Sequence, residues 1–165
     1  MKIIDNFLSE KYFKTIQNDV MGKYYPWTWC DGIVDPGDGK WQLCNSMFDV
    51  DASGVQDSFF EVVEPMLHQM DDHVPIQELL RIKSNLNPKT IEHEHGGFHI
   101  DYIDVTTAIF YINTNNGWTN FKNGDKVESV ENRLVIFDSN LEHEGVTCTD
   151  EDRRVVINFN YVPAL

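Results

Sequence analysis

The chain has 165 residues, a formal net charge of −14 and an apolar fraction of 41%. This length suits one domain with a full core, and no apolar run approaches the roughly 20 residues of a membrane helix. The acidic charge disfavours nucleic acid and anionic membranes as partners, and acidic residues interrupt the N-terminus where a signal peptide would be apolar. We therefore expect a single cytoplasmic domain over residues 1–165.

Two helices are predicted in the first part of the chain. The first begins after Ser9 and ends at Gly22, because its apolar residues recur at helical spacing between these cap positions. The second covers residues 54–70, and Pro65 inside it is expected to kink it or divide it. Both apolar stripes are typical of helices that cover a core.

An aromatic segment rich in glycine and proline lies between these helices, at residues 24–43. It contains Trp27, Trp29 and Trp41, separated by turn residues. The pattern predicts either a hairpin packed by its own tryptophans or a lid that contacts substrate, and it does not decide between them.

The chain contains three cysteines, Cys30, Cys44 and Cys148, without C-x-x-C spacing. An odd number in this arrangement favours reduced thiols over a disulfide framework or a zinc site. We therefore expect free thiols.

From residue 76 the apolar pattern changes to the alternation of a β-strand. The polar face of this first strand carries Arg81, Lys83, Asn85 and Asn87. Such a face could line a cavity as well as meet solvent. Further strands are predicted over residues 106–114, 132–138 and 153–161. Helices followed by about six short strands favour an antiparallel sandwich or distorted barrel, with the helices on one outer face.

The stretch FHIDY, residues 98–102, carries two metal-binding side chains, His99 and Asp101. On a β-strand they would share one face. One further histidine would complete the 2-His-1-carboxylate set that holds non-haem Fe(II) and leaves coordination positions open. We assign that role to His143. His93 and His95 are competing candidates in a polar loop that we expect to be mobile.

An oxygen-activating iron of this kind needs an electron source, commonly a 2-oxo acid, and the distal carboxylate of that acid needs a cation. The last strand offers two arginines, which alternation places on opposite faces. Arg153 shares the apolar face, whereas Arg154 shares the polar face with Asn158. We therefore assign Arg154 to the carboxylate, through the fork geometry of its guanidinium, and Asn158 to a nearby polar contact.

The ordered set His99-x-Asp101, His143 and Arg154, on strands that read TTAIFYINT, NRLVIFD and RRVVINFNY, resembles the Fe(II)- and 2-oxoglutarate-dependent dioxygenases. Within them the chain is most similar to the prolyl-4-hydroxylase-like branch and to short members encoded by bacteriophages. The resemblance covers residues 79–161. It implies a mainly β fold, the double-stranded β-helix (jelly roll), with residues 76–165 as its core and residues 1–75 as a supporting or lid region.

The resemblance also implies the chemistry. Fe(II), 2-oxoglutarate and O2 would be required, with ascorbate as an additional reductant. The reaction would hydroxylate a C–H bond and release succinate and CO2. The expected substrate is a peptidyl proline or another protein side chain, with a small molecule as the open alternative. A phage-encoded member would act in the host cytoplasm. The sequence leaves the oligomeric state open.

The chain departs from the branch at three places, one of which is the usual Gly-Gly-x-Thr segment, replaced by Asn-Gly-Trp-Thr at residues 116–119. A tyrosine that often holds 2-oxoglutarate, on the strand before the H-x-D motif, has no counterpart here. Asn85 and Asn87 occupy that face, and we assign Asn85 to the co-substrate. Asn132 stands where the branch usually has glycine, and asparagine tolerates the same left-handed turn.

Two other functions fit the same residues. The first is a cupin-type metalloenzyme that does not use 2-oxoglutarate. The second is a non-catalytic jelly-roll binding module in which the histidines are vestigial.

Overall fold

The structure is a computed structural model that describes residues 1–164. Its helices and strands, in chain order, are β1 (Lys2–Ile4), α1 (Glu10–Val20), β2 (Thr28–Asp31), β3 (Trp41–Asp49), β4 (Gly54–Val55), α2 (Phe60–Asp71), β5 (Ile76–Pro88), β6 (Thr106–Tyr111), β7 (Trp118–Phe121), β8 (Lys126–Glu128), β9 (Arg133–Asp138), β10 (His143–Val146) and β11 (Arg153–Pro163).

The strands form two antiparallel sheets. The large sheet has the order β1-β9-β6-β11-β5-β3-β2, with β4 paired to β3, and the small sheet has the order β10-β7-β8. Ile109 and Tyr111 of the large sheet pack with Phe121 and Val127 of the small one in a buried cluster. The two sheets are therefore layered face to face, and the predicted jelly-roll fold is confirmed.

The opposite face of the large sheet carries the main core and both helices. Phe13 and Ile16 of α1 and Met66 of α2 are buried in the same apolar cluster as Ile157 and Phe159 of β11. Burying each such side chain contributes about 1.5–3 kcal/mol. The helices thus cover one outer face, as predicted.

The first part of the chain contributes more strand than its sequence indicated. β1 pairs with β9, and β2, β3 and β4 extend the other edge of the large sheet, so residues 1–75 share this sheet with residues 76–164. Helix α2 begins at Phe60 rather than at residue 54, because Gly54 and Val55 pair with β3. It runs through Pro65 without a break. No helix of the described part of the chain is long and apolar enough to cross a bilayer.

The aromatic segment folds as the β2–β3 hairpin, which confirms the hairpin prediction. Trp29 and Trp41 stack on it with ring centroids 4.6 Å apart, and they are 62% and 41% exposed. Trp27 does not join this stack and packs beside Tyr25 against the main core.

The expectation of free thiols was wrong for two of the three cysteines. Cys30 of β2 and Cys44 of β3 form a disulfide, with Cα atoms 6.4 Å apart, whereas Cys148 is free and buried. The pairing depends on the register of the hairpin, in which Cys30 lies opposite Gln42 and Cys44 opposite Thr28. Cysteine spacing alone does not reveal such a register.

Candidate metal centre and adjoining cavity

A cavity of about 460 Å³ opens at the inner face of the large sheet. Its volume falls within the range of roughly 300–1,000 Å³ that is usual for small-molecule sites. Six polar side chains of β5 and β11 line it: Arg81, Lys83, Asn85, Asn87, Arg154 and Asn158. The polar face of β5 therefore lines a cavity rather than meeting bulk solvent.

His99 and His143 are held opposite each other by the backbone at one end of this cavity. The His99 amide donates to the His143 carbonyl at 3.0 Å, and the His143 amide donates to the His99 carbonyl at 3.1 Å. This isolated bridge is the only strand pairing within residues 98–102, so the prediction of a strand over FHIDY was wrong. Pairing with His143 nevertheless fixes the backbone where His99 stands.

The two histidines among the three predicted metal ligands both face the carboxylate of the third, Asp101. His99 Nε2 lies 3.9 Å from Asp101 Oδ1, and His143 Nε2 lies 3.9 Å from Asp101 Oδ2. Within residues 1–164, no three His, Cys, Asp or Glu side chains are close enough together, in their present conformations, to coordinate one metal ion. The three donors are adjacent, and they face one another at the cavity wall.

Protonation favours metal binding at both histidines. His99 Nδ1 is 3.0 Å from the Gly97 carbonyl, which can only accept, so in the neutral imidazole Nδ1 carries the proton and Nε2 keeps the lone pair. Burial lowers the pKa of His143 to about 4, and its imidazole is therefore neutral at neutral pH. The Gly97 carbonyl thus selects the His99 tautomer whose Nε2 can coordinate a metal, and His143 is neutral.

The carboxylate is held ionised by a neighbouring arginine. Arg81 Nη2 contacts Asp101 Oδ1 at 2.8 Å, and Arg81 Nε donates to Asn160 Oδ1 at 3.1 Å. Burial alone would raise the pKa of Asp101, but the positive charge and the hydrogen bond of Arg81 outweigh it and the net pKa is lowered. The other oxygen, Oδ2, faces His143 and accepts one long hydrogen bond, of 3.5 Å, from Asn160 Nδ2. Two imidazoles and one carboxylate form the donor set that non-haem Fe(II) takes, so these residues fit that metal.

Arg154 is a buried cation in the same cavity. It is 3% exposed, its Nε donates to Ser129 Oγ and its Nη2 to Thr119 Oγ1, both at 3.0 Å, and its guanidinium lies over the Tyr111 ring. Within residues 1–164, no carboxylate oxygen lies within 4.0 Å of it. A buried charge that only neutral groups contact is unfavourable until an anion joins it. The geometry around Arg154 is therefore that of an anion site.

Asn85 and Asn158 present carboxamides to this cavity. The Oδ1 atom of each is buried and has no hydrogen-bond partner among the described residues. Since buried polar atoms are normally paired, these two atoms indicate that a polar ligand or solvent completes the site.

His93 and His95 lie outside the convergent set. His93 Nδ1 is 2.7 Å from the Thr147 carbonyl, and His95 Nδ1 is 2.6 Å from Glu144 Oε1. The loop that we expected to be mobile is thus tied to β10. The Lys40 ammonium also donates to the carbonyls of His95 and Gly96, at 2.9 and 3.0 Å, and so links this loop to the β2–β3 hairpin.

Several cavity and supporting residues were missed at the level of sequence. Lys83 and Gln42 line the cavity, and Tyr111 lies beneath Arg154. Alternation had placed Lys83 on the polar face of its strand, which was a usable signal. Gln42 and Tyr111 carried none, because their positions depend on the pairing of distant strands.

No protein-family model and no curated protein matches the sequence. Solved structures do match. A prolyl hydroxylase from Trichoplax adhaerens, solved in complex with a peptide fragment of the hypoxia inducible factor oxygen degradation domain, superposes with a TM-score of 0.67 and 16% identity, over 98% of this chain and 82% of that one.

Two further prolyl hydroxylases have the same architecture. A prolyl-4-hydroxylase from Pseudomonas putida has a TM-score of 0.65 and 12% identity, over 99% of this chain and 92% of that one. The viral collagen prolyl hydroxylase of Paramecium bursaria Chlorella virus-1 has a TM-score of 0.59 and 11% identity, over 98% and 88%. The chain therefore has the fold of the prolyl hydroxylases and 2OG-Fe(II) oxygenases.

Proposed function

We propose that this protein is an Fe(II)- and 2-oxoglutarate-dependent dioxygenase that hydroxylates a C–H bond of its substrate and releases succinate and CO2. The observation that carries the proposal is Arg154. A buried guanidinium without a counter-ion lies in the same cavity as two histidines and a carboxylate. A molecule with one carboxylate for the arginine and a 2-oxo acid group for a metal matches both ends of that cavity.

Each assigned residue has a defined task in this proposal. His99, Asp101 and His143 would hold Fe(II), and the metal, when bound, would supply the activation of O2. Arg81 keeps Asp101 ionised and oriented through the 2.8 Å contact. Arg154 would bind the distal carboxylate of 2-oxoglutarate, with Asn85 and Asn158 as polar contacts along its length. Ascorbate as a reductant stays a prediction, tested by adding it to the assay.

The two alternative functions account for fewer of these features. A cupin-type enzyme that does not use 2-oxoglutarate has no need for a buried cation without a partner at Arg154. A binding module has no need for a depressed His143 pKa facing a carboxylate that is kept ionised.

A peptidyl proline or another protein side chain is the proposed position of hydroxylation. The structural neighbour solved with a bound peptide supports this proposal. The Trp29–Trp41 stack adds support, because it is exposed on the hairpin whose Ile33 and Val34 line the cavity. Whether the two tryptophans contact substrate stays a prediction.

The deciding experiment combines binding with turnover. Calorimetry without oxygen should show that the Fe(II)-loaded protein binds 2-oxoglutarate, and with oxygen the protein should convert 2-oxoglutarate to succinate. Arg154→Ala should lose both, whereas Arg153→Ala, on the other face of β11, should keep them. Absence of binding by the wild type, or equal binding by Arg154→Ala, would overturn the proposal.

A further inference from the structure

Lys83 is a cavity cation to which the proposed reaction gives no role. It lies on the cavity face of β5, opposite Asn158 of β11 and Ser46 of β3. No carboxylate oxygen of residues 1–164 lies within 4.0 Å of its ammonium group. Burial lowers the pKa of Lys83 and the positive charge of Arg81 lowers it further, and together they outweigh the opposing attraction of Asp101. A half-buried ammonium in this environment is stabilised by an anion.

The charges in the cavity do not balance without such an anion. Asp101 and a bound 2-oxoglutarate dianion would together carry three negative charges. Fe(II), Arg81 and Arg154 would carry four positive charges, and Lys83 adds a fifth. Asp35 of the β2–β3 hairpin also lines the cavity; counted as a fourth negative charge it still leaves one positive charge over, and within residues 1–164 it makes no ion pair with Lys83. The surplus is notable in a chain whose formal net charge is −14.

The position of Lys83 separates it from the proposed carboxylate site at Arg154. Lys83 lies opposite Asn158 of β11, and Arg154 lies four residues further along that strand. At about 3.3 Å per residue this is roughly 13 Å of strand. By contrast, Arg81 precedes Lys83 by two residues on the same face, and Arg81 contacts Asp101. Lys83 therefore stands at the metal end of the cavity, where the reacting C–H bond of a substrate must be placed.

We infer that Lys83 binds an anionic group of the substrate, so that the enzyme acts on a molecule that carries a carboxylate close to the hydroxylated carbon. This inference rests on the proposed function and deepens it. The carboxylate can belong to a free amino acid or another small acid, or to an acidic side chain next to the modified residue of a peptide. The chemistry that Lys83 recognises is the same in both cases, because an ammonium acts as a compact point charge.

Acetate is a probe that requires no knowledge of the substrate. It is titrated by calorimetry, without oxygen, into protein saturated with Fe(II) and 2-oxoglutarate. The wild type should show one saturable acetate site, and Lys83→Met should weaken it about 10- to 100-fold. Lys83→Arg should retain it. Lys89→Met is the matched control, since Lys89 lies just beyond the same strand and donates to the Asp150 carbonyl at the surface.

The same titrations distinguish the possible failures. If the wild type does not bind 2-oxoglutarate, the proposed function fails. If it binds 2-oxoglutarate but has no acetate site, or if Lys83→Met keeps the site, the inference about Lys83 fails alone. An unchanged 2-oxoglutarate affinity in Lys83→Met is expected, and a large loss would assign Lys83 to the co-substrate and overturn the inference.

Mass spectrometry then distinguishes the two sources of the carboxylate. Free amino acids are compared with their amides, and peptides that contain glutamate are compared with glutamine counterparts, for the gain of one oxygen atom. Whichever class of substrate gains oxygen, free amino acids or peptides, the compound with the carboxylate should react at least about 10-fold faster than its amide counterpart. Equal rates for acid and amide would refute a carboxylate site at Lys83.

Discussion

Glu144 is expected to hold the loop that carries His99 against β10. Its carboxylate is 3% exposed, and three groups lie within hydrogen-bonding distance: His95 Nδ1 at 2.6 Å, the Gly97 amide at 3.0 Å and Asn120 Nδ2 at 3.0 Å. Burial alone would raise the pKa of Glu144, but these hydrogen bonds outweigh it and the net pKa is lowered, so the acceptor is ionised. Glu144→Gln keeps the shape of the side chain but replaces one of the two acceptor oxygens with a donor.

The magnitude of this change follows from the contacts. Hydrogen bonds to a charged group contribute roughly 1.5–3 kcal/mol, and a buried donor left unpaired costs about 1–3 kcal/mol. The new amide cannot satisfy His95, Gly97 and Asn120 together, so the free energy of unfolding should fall by about 2–4 kcal/mol. Since groups that orient metal ligands commonly change metal affinity about 10- to 100-fold, Fe(II) affinity should fall within that range.

Urea unfolding followed by circular dichroism measures the first quantity, and calorimetry with Fe(II) in the absence of oxygen measures the second. Glu142→Gln is the matched control, because Glu142 makes an exposed ion pair of 3.4 Å with Lys122. Exposed pairs of this kind contribute at most about 1 kcal/mol. If Glu144→Gln and Glu142→Gln differ by less than about 0.5 kcal/mol and bind Fe(II) equally, Glu144 does not position the site.

Three further results are expected. Arg154→Met removes a buried charge without a counter-ion, so the free energy of unfolding should fall by less than about 1 kcal/mol. The affinity for 2-oxoglutarate, measured by calorimetry, should fall about 100-fold. A large loss of stability with unchanged 2-oxoglutarate affinity would make Arg154 a structural residue. In metal-free protein, the unfolded chain protonates His143 near 6.5 and the folded chain near its pKa of about 4. The free energy of unfolding should therefore decline by about 3 kcal/mol as the pH falls from 6.5 to 4, and an equal decline in His143→Gln would contradict this. Asn132 has a φ of +61°, and its side chain bonds both the amide and the carbonyl of Leu8 at 2.9 Å. The free energy of unfolding of Asn132→Ala, measured by thermal unfolding, should therefore be about 1 kcal/mol lower than that of Asn132→Gly, because only alanine is strained in this conformation. Equal stabilities of the two variants would rule the strain out.

The faces of the two long cavity strands could be predicted from sequence because a β-strand has a fixed period of two. On β11 that period separates Arg154 and Asn158, which line the cavity, from Ile157 and Phe159, which lie in the main core. The left-handed turn at Asn132 was implied by the family resemblance, which has glycine at this position, and asparagine adopts it with a φ of +61°. In each case the property belongs to one local segment.

The features that the sequence did not reveal depend on distant partners. β1 is a strand because β9 lies beside it, more than 120 residues further along the chain. The Cys30–Cys44 disulfide requires the register of a hairpin. The Lys83 ammonium has no ion-pair partner within residues 1–164 because the folded chain brings no carboxylate oxygen within 4.0 Å of it. These features depend on contacts between distant parts of the chain, so the spacing of apolar and polar residues within a short segment does not reveal them.

The backbone bridge between His99 and His143 has a consequence for how the protein would handle metal. In a zinc finger the metal organises the chain, and its removal unfolds the domain. Here two of the three proposed ligands are already fixed by a reciprocal pair of amide hydrogen bonds, so the conformational entropy of assembling them is lost during folding. A chelator should therefore strip iron from a protein that stays folded, and the empty site should refill at once. Such a protein can experience repeated loss and recovery of its metal without passing through an unfolded state.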